Sequence, residues 1–150
     1  MAKLSIKPGS ENVSLLLFVQ DSASTTGGGK TGLAYNTASL TCYGVRPGEA
    51  AASISLVTQT VTGAWSSGGF VEIDVTNMPG VYRFDVPNAV LAVGVRSAVV
   101  MLKGASGMAP LVLEVDLGAQ VDVALLSGDA GAEDNAECFF DGTGYAGQTT

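Results

Sequence analysis

The chain of 150 residues contains no histidine. The commonest general base and the commonest transition-metal ligand are therefore missing, and a Ser-His-Asp catalytic site is excluded. Cysteine occurs only at Cys42 and Cys138. Two thiols cannot close a four-cysteine zinc site, and there is no CxxC pair. Charge is scarce as well, with only seven Lys and Arg in total. Sequence-independent binding to nucleic acid needs clustered bases that displace counterions, and these seven are scattered. Long apolar runs are missing too. VSLLLFV within residues 12–20 is far shorter than the ~20 residues of a membrane helix, and no other stretch approaches that length. The opening MAKLSIKPG has no apolar run of signal-peptide length. The expectation is a protein made and folded in a reducing cytoplasm, without membrane or nucleic-acid partners.

What is present favours strands. Apolar residues make up 47 %, enough for a sizeable core, and 20 glycines accompany recurrent Ser, Thr and Val. The net charge of −7 is unevenly placed. Residues 1–115 hold seven acids and seven bases, whereas Asp116–Thr150 holds seven acids and no base. The reading is a neutral body, 1–117, and an acidic arm, 118–150.

Along the body, residues 12–20 read as a strand buried on both faces. Leu40 and Cys42 alternate with Thr41 and Tyr43. Residues 53–62 form a Thr-rich strand. Val71, Ile73 and Val75 point inward, and Glu72 and Asp74 outward. Pro79-Gly80 suits a type II turn. Tyr82, Phe84 and Val86 then alternate with Val81, Arg83 and Asp85, and Tyr82 has the placement of a tyrosine corner. Residues 88–93 suit one helical turn capped by Asn88. An apolar strand over 95–103, a GASG turn and alternating Leu111, Leu113, Val115 and Leu117 complete the body. Turn signals roughly every ten residues, with no crossover helix, predict a mainly β, antiparallel sandwich or barrel of jelly-roll-like type. After Gly118, apolar residues at 121, 125 and 126 take helical spacing, which predicts a short C-terminal helical arm.

Gly29-Lys30-Thr31 ends like a phosphate-binding loop, but the first glycine of that motif should stand at 24, where the chain has Ser24. No helix pattern follows to present its amides to a phosphate. The stretch reads as a flexible hairpin tip, and no cofactor is expected. Glu72, Asp74 and Asp85 suggest a carboxylate pair of the glycosidase kind, or charges on an outer face. Asp129, Glu133, Asp134 and Asp141 lack the twelve-residue spacing of an EF-hand, and no metal site is assigned. Trp65, in a Gly/Ser loop, either stacks on a sugar or partner or folds back over the end of the sandwich. Phe139, Phe140 and Tyr145 are large groups near the chain end, suited to packing against another subunit.

TGLAYNTASLTCYGVRPGEA (31–50) and VTGAWSSGGFVEIDVTNMPGVYRFDVPNAVLAVG (61–94) resemble a module of structural proteins from tailed bacteriophages and prophages. The resemblance covers roughly 5–117, and FFDGTGYAG looks like segments that follow the module in longer phage proteins. It implies a non-enzymatic virion protein that docks as a homo-oligomer on other virion proteins, at the tail or baseplate. Capsid decoration is the first alternative, and a carbohydrate-binding module built on Trp65 the second. The contacts expected are Phe139, Phe140 and Tyr145 of the arm and the rim loops 22–32 and 63–69.

Overall fold

The computed structural model describes residues 2–118. The predicted helical arm, with Phe139, Phe140 and Tyr145, lies outside the described residues.

Among the described residues, nine strands form two sheets, and one 3₁₀ turn follows the strand Met78–Asp85. The first runs β1 (Ala2–Ser5), β9 (Leu111–Asp116), β8 (Ser97–Lys103), β3 (Thr41–Val45), β4 (Ala52–Ile54). The second runs β2 (Ser14–Phe18), β7 (Met78–Asp85), β6 (Gly69–Asp74), β5 (Val57–Thr58). Both are mixed, because β1 pairs with β9 and β5 with β6 in parallel. The mainly β sandwich is as expected, but the purely antiparallel pairing is not. The parallel strands β1 and β5 have four and two residues, too short for a periodic signal.

The core lies between the sheets. Leu15, Leu17 and Val19, then Tyr82, Phe84 and Val86, face Cys42, Val100, Leu102, Leu113, Val115 and Leu117. The alternation of 82–86 and 111–117 is as expected. Residues 12–20 differ, since only alternate residues of β2 are buried while Leu16 and Phe18 are exposed.

In β6 the parity is reversed. Phe70, not Val71, enters the core, where its ring stacks on Tyr82 at 4.9 Å. Strand alternation therefore puts Glu72 on the inner side with Phe70, and Val71 and Ile73 on the outer side. The predicted strand over 53–62 is split, with β4 in one sheet and β5 in the other. Ser55–Leu56 carries the chain across the open edge of the sandwich.

The β6–β7 turn is Val75–Asn77, earlier than the predicted Pro79-Gly80. Asp74 sets it, accepting from the Thr76 and Asn77 amides and from Asn77 Nδ2. The 3₁₀ turn, Asn88–Leu91, has no side-chain cap. Asn88 instead accepts the Asn12 amide at 2.9 Å.

Candidate functional site

Three places drew attention in the sequence: the glycine loop, the strand carboxylates and Trp65. Each has a defined local structure.

The glycine loop is fastened at its base, around residues 29–33, while its tip at 25–28 is exposed. Three amides of that base bond inward: Lys30 donates to Val19 O (2.7 Å), Gly32 to Glu72 Oε2 (2.8 Å) and Leu33 to Tyr82 Oη (3.2 Å). The Tyr82 hydroxyl in turn donates to Lys30 O at 2.7 Å. Burial, and then the Glu72 charge, hold this hydroxyl above the usual tyrosine range, so it stays protonated and donates. Tyr82 thus bonds to a loop about fifty positions upstream in the chain, not to its own entry turn as a tyrosine corner does. Backbone meets backbone where the loop crosses β7. Gly80 has φ +81°, and a Cβ there would lie 2.5 Å from Gly29 Cα and 2.8 Å from Val19 O. Glycine is therefore required on geometric grounds. A phosphate cradle needs amides aimed outward, and these already have partners inside.

The carboxylates do not converge. Glu72 is on the inner side of the second sheet and Asp85 on the outer side, so no glycosidic bond can lie between them. Asp85 has no exposed surface. It accepts from Ser14 Oγ (2.6 Å), Gln59 Nε2 (2.6 Å), the Ser66 amide (2.9 Å) and Arg83 Nε (2.9 Å). Burial pushes its pKa up, but these four donors outweigh burial and hold it below the ordinary value. Arg83 Nη1 reaches the carbonyls of Val61 (3.0 Å) and Gly63 (2.8 Å). The loop 59–66 is thereby clamped over the pair. Asp74 is occupied with its turn, and its pKa is lowered by the Asn77 side chain and by the Asn77 and Thr76 amides.

Trp65 folds back. It is half-buried, and its indole N–H donates to Val13 O at 3.2 Å. It therefore acts as a lid strut on the loop over Asp85. Cys42 is buried, which pushes its thiol up to about 12 and keeps it from nucleophilic chemistry at neutral pH.

Most conspicuous residues of SGGFVEIDVTNMPGVYRFD thus have a local architectural task. Among the described residues, no group of three or more Asp, Glu, Cys or His could hold a metal ion. An open cavity of about 370 Å³ lies at the β4–β5 edge, with Ile54, Val57, Pro87 and Val90 in its walls. Its lining holds no aromatic side chain to stack on a sugar. Arg46, on its rim, ties down the end of the 3₁₀ turn through the Ala92 and Val93 carbonyls.

One exposed face is apolar. The outer side of the second sheet carries Leu16 (63 % exposed), Phe18 (48 %) and the partly exposed Val71, Ile73 and Val81. The register brings them together, since Leu16 and Val71 flank Arg83 and Phe18 lies opposite Val81. Reading 12–20 as doubly buried hid this surface. The one signal for it was the run Leu15-Leu16-Leu17-Phe18, apolar at both parities.

Compared with known proteins, the chain matches no family model, no curated protein and no solved structure.

Proposed function

We propose that this chain is a non-enzymatic structural subunit of a tailed-phage virion, docking as an oligomer through the outer side of its four-stranded sheet. The observation that carries the docking role is the exposed apolar group around Leu16 and Phe18. Apolar groups clustered on one face mark association sites more often than isolated exposed leucines do. The phage assignment rests on the resemblance of 31–50 and 61–94 to virion modules. The jelly-roll-like comparison belongs to that same reading. So do Phe139, Phe140 and Tyr145 as further contacts of the arm. The fold's polar groups are engaged in holding loops, which suits a building block better than a catalyst. Trp65, bonded to Val13 and half-buried, favours this reading over a sugar platform.

The test is immunogold electron microscopy of phage particles from the source, with antibody raised against the purified chain. Gold on the tail or baseplate supports the reading as stated. Gold on the head moves the subunit to capsid decoration. Bare particles, with an antibody that recognises the purified protein, overturn the virion assignment.

A further inference from the structure

A sheet edge is a row of unpaired backbone groups, a ready-made template for another strand. Three of the four edges here are short or charged. β4 and β5 have three and two residues, and β1 carries Lys3, which pairs with Glu114 and Asp116. β2 is different: SLLLF contains no charge and no proline, and its register with β7 has no bulge. Residues 12–20 as a whole carry no charge.

The hydrogen-bonding parity of β2 is fixed at both ends. Val86 N–H donates to Val13 O and Val19 N–H to Gly80 O. Odd residues therefore bond to β7, and Ser14, Leu16 and Phe18 turn their N–H and C=O groups to the open side. This open stretch is bounded. At one end Asn12 has φ +56°, and its amide is taken by Asn88. At the other, the Gln20 carbonyl is taken by the Ala109 amide at 2.8 Å. What is left is three residues, symmetric about Leu16.

We infer that the partner of this edge is β2 of a second copy, paired antiparallel about a two-fold axis at Leu16. Leu16 then faces its own equivalent and Ser14 faces Phe18 of the other copy, so all six open groups are used. The sheets join into one of eight strands. Registers centred on Leu15 or Leu17 run into the occupied Asn12 or Gln20. The uncharged strand sets no like charges in opposition along the ladder, which a self-paired strand must avoid. The two-fold also keeps both apolar outer faces on one side, bringing the two Leu16 and Phe18 pairs together. This deepens the structural-subunit reading and rests on it for the identity of the occupant, because a subunit present in many copies meets itself first. Three paired residues per chain lie below the ~1,200 Å² of a standard stable interface. The dimer is accordingly weak and concentration-dependent.

The test uses the purified full chain. Sedimentation velocity over a dilution series should show a monomer–dimer equilibrium, and Leu16→Lys should weaken it at least tenfold with an unchanged melting temperature. In a Cys138→Ser background, a short bismaleimide should link Leu16→Cys into dimers and leave the control Val75→Cys monomeric. That measurement stands even if Leu16→Lys folds poorly. A wild type that stays monomeric at every concentration overturns the inference and leaves the edge to a strand of a different protein. A dimer indifferent to Leu16→Lys, or linked equally at Val75→Cys, also overturns it. Failure here with gold-labelled particles removes only this pairing mode. A linked dimer with bare particles removes only the virion assignment.

Discussion

The outer side of the four-stranded sheet has two halves, and their exposures are the reverse of the usual rule. Towards loop 59–66, Arg83 is 9 % and Asp85 0 % exposed. Along β2, Leu16 and Phe18 are open. The chain has covered its charges and left its leucine and phenylalanine bare. The covered half shows how an ion pair is kept inside. Asp85 has four donors and Arg83 has carbonyls as well as a carboxylate, so neither is left unpartnered, which is the condition for burying charge. No described residue covers the open half. One half is completed within the molecule, and the other is the surface proposed above to associate.

The comparison breaks most severely at Asp85. Asp85→Ala leaves the Arg83 guanidinium buried without its carboxylate and frees four donors. A loss of about 3–5 kcal/mol is expected, read by urea unfolding. Replacing both partners with apolar residues, Arg83→Met with Asp85→Leu, should cost less than that single change. A double variant as weak as Asp85→Ala would mean that the loop carbonyls, not the pair, dominate. Next comes Tyr82→Phe, which leaves Lys30 O and the buried Leu33 amide without the hydroxyl. A cost of about 1–3 kcal/mol is expected, with faster amide exchange over 30–33. The pH dependence is smaller. Because the folded state holds the Asp85 pKa below the ordinary 3.8, the folded protein takes up this proton less readily than the unfolded chain. Its contribution is complete above the unfolded value and disappears as pH falls through the folded one. Asp85→Asn should flatten the acid limb of the stability profile. A limb of unchanged slope would assign the acid sensitivity to other carboxylates. The smallest effect sharpens the contrast from the other side. Leu16→Lys should change monomer stability by no more than about 0.5 kcal/mol, as exposed positions do.

Much of the fold was legible in the residues, for identifiable reasons. Tyr82, Phe84 and Val86 alternate with Arg83 and Asp85, and the chain obeys that alternation. Strand β6 misled because its outer side is apolar too. Val71 and Ile73 look like core, while Glu72 is turned inward to meet the Gly32 amide. The crossing at Ser55–Leu56 has no compositional mark, since either side of it reads as strand. Arg83 and Asp85 were set on the parity opposite Tyr82, but pattern alone reveals neither their pairing nor the cover from a loop about twenty positions earlier. Gly80 was rightly given a positive φ, yet its reason is the passage of Gly29 and not a turn.

The parallel pairing of β1 with β9 has a mechanical consequence. Ala2 lies beside Leu113 and Ser5 beside Asp116, and the Ile6 amide extends the ladder to Asp116 O. Tension applied at residues 2 and 118 pulls these two strands past each other along their length. The evenly spaced bonds of a parallel ladder are then loaded together in shear, instead of being opened one after another from an end. A chain held this way yields at a single high-force event governed by its unfolding rate. Single-molecule stretching through these two positions reads that event directly, and it would fall sharply if the pull were moved from residue 2 to the β3–β4 turn at Gly48.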